Sequence, residues 1–229
     1  MLSAVIVAAG SSQRMGFDKL RAGLLGRPVL AWTLAAFEMC PSVGEIVLLT
    51  RAGSETEMAG LVAQGGFTKV RKILAGGAAR HLSVWNGLQA LDPLAEFVAV
   101  HDGARPLTTP ALIEKCLTRA RETGAACAAA PVTDTLKRAD AAGRVVGSFD
   151  RTGLWAMETP QIFSVPLLRR AYRAVLDSDF TVTDEASAVE HLGEPVTLVA
   201  HEDWNGKITY PRDLELAQQI LAVRSKVAS

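Results

Sequence analysis

The first residues that could do chemistry follow an apolar run in VIVAAGSSQRMGFDKL (Val5–Leu20). The run ends at Gly10, and Arg14 and Lys19 then add two positive charges. Backbone N–H groups at such a strand end can bind phosphate, and the two cations would strengthen that binding. Because the loop has neither G-x-G-x-x-G nor G-K-[ST], it fits neither the dinucleotide-binding nor the Walker class. It predicts a phosphate site of another kind; the alternative is a surface loop with solvated basic residues.

A second candidate segment is LAGGAARHLSVWNGLQAL (Leu74–Leu91), where two glycines follow a predicted strand. Gly76 and Gly77 would let a planar ligand lie close to the backbone. An ordinary strand-to-helix turn explains the apolar residues of this segment, but it explains Arg80 and Ser83 less readily.

The third candidate is Asp102, which follows an apolar strand in VHDGARP. A carboxylate at this edge of an α/β sheet is a suitable ligand for magnesium or for a substrate hydroxyl. Asp102 could instead cap the following turn, as Asp often does. We expect the neighbouring His101 to be a packing residue rather than a base.

The elements that must position these residues alternate between short β-branched runs and helical stretches. The strands are expected at Val5–Val7, Glu45–Thr50, Lys69–Leu74 and Glu96–Asp102. Thr109 and Pro110 predict the start of one helix, and Gly124 predicts its end. This alternation predicts an α/β fold with a mostly parallel sheet covered by helices on both faces. Since ligands of such sheets bind beyond the carboxyl ends of the strands, the Gly10–Lys19 loop and His101–Pro106 are expected at one edge.

Composition excludes several classes of protein. The chain has 229 residues, 49% of them hydrophobic, which is enough for one domain with a modest appendage. The 24 basic and 24 acidic residues balance, so no net charge attracts nucleic acid or anionic lipid. Three cysteines without a C-x-x-C pair argue against a disulfide framework or a zinc site. No apolar run approaches the roughly 20 residues of a membrane helix, so we expect a cytoplasmic protein.

Two further segments have structural interpretations. Residues 134–152 predict a polar β-hairpin, DTLKRA against RVVGSFD, which the family resemblance given below implies is a projecting β-arm. Because a lone hairpin is marginally stable, a second subunit is a plausible support. In TVTDEAS, Thr183 is the predicted N-cap of a helix, and Asp184 and Glu185 would complement the helix dipole.

Eight motifs in a fixed order resemble one family over nearly the whole chain. They are AAGSSQRM, GG-x-x-R-x-x-SV-x-x-GL, HDGARP, DTLKR, DRTGLW, TPQ, TDEAS and the lysine of NGK. Together they are similar to the 2-C-methyl-D-erythritol 4-phosphate cytidylyltransferases of the non-mevalonate isoprenoid pathway. The resemblance implies a single Rossmann-like nucleotidyltransferase domain over residues 1–229 and a homodimer whose arms complete the partner's site. It also implies that CTP and the methylerythritol phosphate react, with magnesium or another divalent cation, to give the CDP-linked product and pyrophosphate.

The resemblance also implies a role for each matching residue. The implied catalytic residues are Arg14 and Lys19 at the polyphosphate, and Arg151 and Lys207 at the methylerythritol phosphate. The implied contacts to cytosine and ribose are Ala8, Ala9, Gly10, Gly77 and Ser83. The implied acceptor-site residues are Arg105 and Thr135, partly from the neighbouring subunit, and Asp102, which is also the candidate metal ligand.

Two departures from the family pattern affect these roles. The family commonly has P-K-Q where this chain has DKL, so Asp18 is expected to compete with the phosphates for Lys19. Ala78 stands where an acidic residue often contacts the nucleotide sugar, so ribose recognition would rest more on backbone groups. Two alternatives stay open: a cytidylyltransferase for ribitol 5-phosphate or another polyol phosphate, and a non-catalytic nucleotide-binding protein on the same fold.

Overall fold

The structure is a computed structural model that describes residues 1–10, 15–178, 180 and 182–227. The strands are β1 (Leu2–Ala8), β2 (Gly23–Leu24), β3 (Arg27–Pro28), β4 (Val43–Thr50), β5 (Val70–Ala75), β6 (Phe97–Asp102), β7 (Ala125–Pro131), β8 (Leu136–Ala139), β9 (Val145–Phe149), β10 (Trp155–Ser164) and β11 (Thr197–Ala200). The helices are α1 (Val29–Met39), α2 (Glu55–Gly65), α3 (Arg80–Gln89), α4 (Pro110–Thr123), α5 (Val165–Leu176), α6 (Glu185–His191) and α7 (Pro211–Val227).

A seven-stranded sheet in the order β11-β7-β10-β6-β1-β4-β5 forms the centre of the fold. The pairs β1/β4, β1/β6, β4/β5 and β7/β11 are parallel, and β10 runs antiparallel to both of its neighbours. The predicted α/β fold with a mostly parallel sheet is therefore confirmed. The antiparallel β10 was not predicted, because its sequence continues directly from the polar segment after the arm.

Helices cover both faces of the sheet, as the side-chain alternation along the strands requires. Ile6 of β1 belongs to a buried cluster that includes Phe37 of α1 and Leu117 of α4. Its neighbour Val5 belongs to the opposite cluster, together with Leu88 of α3. Each central strand is therefore buried on both sides, which explains why it is apolar throughout.

The carboxyl ends of β1, β5 and β6 lie at one edge, as predicted for β1 and β6. The backbone N–H of Gly103 donates to the carbonyl of Val7, at 2.9 Å, and so joins the ends of β6 and β1. The N–H of Gly76 donates to the carbonyl of Thr50, at 2.7 Å, and joins the ends of β5 and β4. The three candidate segments are thus brought to the same side of the sheet.

The predicted limits of α4 are confirmed, whereas the predicted N-cap of α6 is wrong. The Thr109 side chain accepts from the N–H of Leu112, and Gly124 ends α4 with a φ of 82°. For α6 the N-cap is Asp184 rather than Thr183, since the Asp184 carboxylate accepts from the N–H of Ser187. The Ser187 hydroxyl reaches back to the N-cap backbone and completes a capping box.

Residues 134–152 contain the antiparallel pair β8 and β9, which forms a separate two-stranded ribbon. This arm exposes apolar side chains, with Val145 65% and Val146 59% accessible. All three cysteines are buried and free. In the part of the chain that the structure describes, no helix is long and apolar enough to cross a membrane.

Candidate active site

A cavity of about 330 Å³ opens beyond the carboxyl ends of β1, β5 and β6. It brings together eight of the predicted site residues: Ala8, Ala9, Gly10, Lys19, Gly77, Ser83, Asp102 and Lys207. Arg80, to which the sequence assigned no role, also lines this first cavity. One part of the lining therefore consists of backbone and small side chains, and the other part consists of charged side chains.

The backbone wall depends on close packing around the paired glycines. A Cβ atom on Gly76 would lie 2.5 Å from the Cβ of Ala9 and 2.8 Å from the hydroxyl of Ser83. The Ser83 hydroxyl accepts from the N–H of Gly77 and donates to the carbonyl of Ala79, both at 3.0 Å. Ser83 therefore shapes the loop that a planar ligand would contact.

A second cavity, of about 430 Å³, adjoins the first. Its lining includes Arg105, Glu158, Thr159, Gln161, Thr183 and Asp184. Arg80, Asp102 and Lys207 line both cavities. These three charged side chains form a shared wall, so ligands in the two cavities would meet there.

Asp102 is the centre of this shared wall. Its Oδ2 lies 3.0 Å from the Lys207 ammonium and 3.4 Å from Arg105 Nε, and its Oδ1 lies 3.5 Å from Arg80 Nη2. Burial alone would raise the pKa of Asp102, but the charges of Lys207, Arg80 and Arg105 hold it well below its usual range. Asp102 is therefore ionised at neutral pH and holds three cations around one carboxylate.

Arg80 is fixed from behind by a second carboxylate. Its Nη1 and Nη2 donate to Oε1 and Oε2 of Glu185, at 2.6 and 3.0 Å. Although burial opposes it, the carboxylates of Glu185 and Asp102 raise the pKa of Arg80 above its ordinary value. The buried Tyr172 hydroxyl donates to Oε1 of Glu185, at 2.9 Å.

His101 is buried beneath the site, where the sequence analysis expected a packing residue. Its ring lies 4.9 Å from that of Phe37, and its Nδ1 is 3.0 Å from the hydroxyl of Thr159. Burial is the main reason that the pKa of His101 is lowered to about 3. A ring that stays neutral and faces the core does not act as a base for a ligand in either cavity.

The floor of the second cavity is held by a network that the sequence analysis missed. Oε2 of Glu158 accepts from Nε2 of His201 at 2.9 Å and from Nδ2 of Asn205 at 2.8 Å. Arg105 donates to the backbone carbonyl of Asn205, at 2.8 Å. The segment containing Lys207 is thereby fixed against the strand that carries Glu158. The sequence alone does not indicate this network, because Glu158 meets His201 and Asn205 only when β10 is in its place in the sheet.

Lys19 lies in the first cavity and donates to the carbonyl of Ile208, at 2.8 Å. Asp18 forms an ion pair with Arg51, at 2.9 Å, and accepts from the N–H of Leu20. Asp18 thus has a second cation beside it in Arg51, and its expected competition for Lys19 stays a prediction.

Two predicted site residues that the structure describes do not line these cavities, and a third is not described. Arg14 lies outside the described residues. Arg151 and Thr135 are on the exposed arm, where Arg151 donates to the carbonyl of Thr133, and neither lines the first or the second cavity. The roles of Arg151 and Thr135 in substrate binding stay predictions.

Asp102 is also the predicted metal ligand. Among the described residues, no group of three or more His, Cys, Asp or Glu side chains could hold a metal ion. Mg²⁺ commonly keeps several waters and binds through one or two carboxylates plus substrate phosphates. A single carboxylate at the shared wall fits that arrangement, and it does not fit an all-protein metal cage.

The comparisons with known proteins identify the family of the chain. The family model described as IspD, 2-C-methyl-D-erythritol 4-phosphate cytidylyltransferase, matches residues 2–223. The chain belongs to this family. An enzyme of that name from Synechococcus elongatus is 41% identical over 227 residues, which cover 98% of each chain. The relative from Alkaliphilus metalliredigens is 41% identical over 226 residues, or 97% of this chain and 94% of its own.

Solved structures of this cytidylyltransferase family share the fold. A crystal structure of 4-diphosphocytidyl-2C-methyl-D-erythritol synthase from Anaerococcus prevotii matches with a TM-score of 0.84 and 32% identity. The match covers 96% of this chain and 98% of that one. A 2-C-methyl-D-erythritol 4-phosphate cytidylyltransferase from Thermus thermophilus matches with a TM-score of 0.80 and 32% identity, over 95% and 98% of the two chains. The resemblance predicted from the motifs is therefore confirmed.

Proposed function

We propose that this chain is a CTP-dependent cytidylyltransferase that acts on 2-C-methyl-D-erythritol 4-phosphate. It would form 4-diphosphocytidyl-2-C-methyl-D-erythritol and pyrophosphate, a step of isoprenoid precursor synthesis. The observation that carries the proposal is the pair of adjoining cavities that share the wall of Arg80, Asp102 and Lys207. A reaction that joins two phosphates needs two sites that meet at positive charge.

The chemistry requires cations more than it requires a base. A phosphate oxygen of the acceptor attacks the α-phosphorus of CTP, and the bond from that phosphorus to the bridging oxygen breaks as pyrophosphate leaves. The attacking oxygen is already ionised, so no group has to remove a proton. Positioning two anions and stabilising the charge of the leaving group are the main tasks.

The properties of each cavity suggest which substrate it binds. The first cavity has the small backbone wall of Ala8–Gly10 and Gly77, which suits a planar base and a ribose, and Lys19 suits the triphosphate. The second cavity has Arg105 and the polar side chains of Thr159 and Gln161, which suit a small polyol phosphate. Lys207 would then lie beside the attacking phosphate.

Magnesium or another divalent cation is part of the proposal. The ion would be bound mainly by the phosphates of CTP, with Asp102 as the nearby carboxylate. When bound, it would neutralise part of the triphosphate charge. The residues of the chain would bind and orient the substrates around it: Lys19 at the polyphosphate, and Arg80 and Lys207 at the shared wall.

We also propose a homodimer in which each subunit's arm contacts the other subunit. Arg151 and Thr135 lie on an arm that exposes Val145 and Val146, and a second copy would cover this surface. That contact would carry Arg151 toward the acceptor cavity of the partner. We also propose a cytoplasmic location, which the free, buried thiols of all three cysteines support.

The test is pyrophosphate release from CTP and magnesium with methylerythritol phosphate or ribitol 5-phosphate as the acceptor. The proposal expects turnover of the first acceptor with strong preference over the second. Turnover of ribitol 5-phosphate alone would show instead that the protein is a ribitol 5-phosphate cytidylyltransferase. Binding of CTP without turnover of either acceptor would refute the enzyme assignment.

A further inference from the structure

Glu185 is a buried carboxylate that the proposed mechanism does not yet use. It is the first residue of α6, and its side chain has no solvent exposure. The capping of α6 does not require it, because Asp184 and Ser187 already form the capping box. Complementing a helix dipole does not require a buried charge either, since that effect also operates at exposed sites.

The partners of Glu185 explain why it is buried. A buried charge is costly unless it is paired and hydrogen-bonded. Oε1 accepts from Arg80 Nη1 at 2.6 Å and from the Tyr172 hydroxyl at 2.9 Å, and Oε2 accepts from Arg80 Nη2 at 3.0 Å. The two parallel bonds to Arg80 fix both the position and the plane of the guanidinium.

The guanidinium is fixed where the two cavities meet. Arg80 lines both of them, and its Nη2 also faces Oδ1 of Asp102 at 3.5 Å. Arginine has five N–H donors, of which two are used by Glu185 and one faces Asp102. Nε and the second hydrogen of Nη1 have no partner among the described residues, and the side chain is 30% exposed.

We propose that Glu185 is a positioning residue that holds Arg80 so that its guanidinium binds the reacting phosphates at the shared wall. This proposal rests on the proposed function, which places Arg80 among the residues that contact the substrates, and it adds Glu185 as the residue that orients Arg80. Without Glu185, the guanidinium would be free to move onto Asp102, where it would be lost to the phosphates. With Glu185, the cation is in place before either substrate binds, which lowers the cost of reorganisation.

The test starts with Glu185→Gln, which keeps the size of the side chain and removes its charge. We expect kcat/KM to fall about tenfold to a hundredfold, the range for losing a hydrogen-bonded charged partner. The matched control is Glu45→Gln, since Glu45 is also a buried carboxylate and accepts from Ser3 and Asp92 at the opposite edge of the sheet. The control should lose stability while kcat and both KM values stay unchanged for the folded protein.

A double-mutant cycle with Arg80→Lys separates positioning from a structural role. Lysine keeps the charge but cannot form the two parallel bonds, so Glu185→Gln should cost little further activity on this background. If Glu185→Gln lowers kcat/KM by the same factor in the wild type and in Arg80→Lys, the proposal is overturned. If Glu185→Gln does not fold, Tyr172→Phe takes its place in the cycle, and its severalfold loss should likewise disappear beside Arg80→Lys.

Calorimetric titration with CTP distinguishes this proposal from the proposed function. Glu185→Gln should bind CTP more weakly than the wild type, whereas Glu45→Gln should bind it equally well. If the wild type binds CTP but releases no pyrophosphate, the proposed function fails, and the affinities still test Glu185. If the wild type turns over and Glu185→Gln matches it in kcat, KM and CTP affinity, only the role of Glu185 is refuted.

Discussion

The Lys207 ammonium lies 3.0 Å from Oδ2 of Asp102, although the two residues belong to segments far apart in the chain. The Lys207 side chain is 37% exposed and that of Asp102 is 9% exposed, so the carboxylate fixes a cation that can still be reached by a ligand. Asp102 therefore holds the Lys207 ammonium at a defined position where the two cavities meet.

The first prediction concerns Lys207. Lys207→Gln should lower kcat/KM for pyrophosphate release by a factor of about 10² to 10³, the usual cost of one preorganised charge contact in a transition state. The matched control is Lys115→Gln, because Lys115 donates to the carbonyl of Ala200 outside both cavities. Steady-state kinetics gives kcat/KM for both variants. Equal values for Lys207→Gln and Lys115→Gln would contradict a role of Lys207 in the reaction.

The second prediction concerns the protonation of His101. Its pKa in the folded protein is lowered to about 3 by burial, against about 6.5 in an unfolded chain. The unfolded state therefore binds the proton first. The stability linked to the neutral ring is complete above about pH 6.5 and is lost as the pH falls toward 3.

Between pH 7 and pH 5 this linkage should cost about 2 kcal/mol of unfolding free energy, relative to a His101→Gln variant. Urea unfolding at the two pH values measures the difference. In NMR spectra the ring resonances of His101 should stay constant between pH 8 and pH 5, while free imidazole added as a reference titrates. A shift of the His101 resonances in that interval would show that the ring is accessible to protons.

The third prediction concerns the glycine loop. Gly76→Ala should force Ala9 and Ser83 apart, because the new Cβ would lie 2.5 and 2.8 Å from their atoms. We expect a destabilisation of about 1 to 3 kcal/mol, as for overpacking elsewhere, and a raised KM for CTP. Gly23→Ala is the control, since nothing lies within 4 Å of its Cβ position. An unchanged KM in Gly76→Ala would argue against this loop as the nucleotide wall.

The fourth prediction concerns the arm. Val146→Asp places a charge on its exposed apolar surface, so the proposed dimer should dissociate and the specific activity should fall with it. The control is Val223→Asp, a similarly exposed valine on α7. Light scattering coupled to size-exclusion chromatography gives the mass of each variant. A wild type that is monomeric and fully active would contradict the proposed exchange of arms.

Much of the fold could be predicted because its signals are local. The apolar runs of β1, β4 and β6 are buried on both faces, so their composition alone distinguishes them from the helices. Thr109 and Gly124 mark α4 because each satisfies backbone requirements at one position. The sequence could also place Asp102 and the Gly76 loop at one edge, since parallel strands end together.

The remaining features depend on contacts between distant segments. Glu185 looks like a helix-dipole residue in the sequence, and only the folded structure, in which α3 and α6 both pack against α5, shows that it pairs with Arg80. Glu158 is polar and follows the exposed arm, so its burial depends on how β10 enters the sheet. Thr183 and Asp184 are both good caps, so the sequence alone does not distinguish which of them is the N-cap of α6.

The position of the arm has a mechanical consequence. It is inserted between β7 and β10, which pair with each other from Trp155 and Pro131 inward. Only three residues beyond Trp155, β10 reaches Glu158 in the floor of the second cavity. A displacement of the arm would therefore be transmitted over a few residues of β10 to the floor of the second cavity. In the proposed dimer with exchanged arms, a contact that displaces the arm of one subunit would therefore also shift the floor of the second cavity in that same subunit.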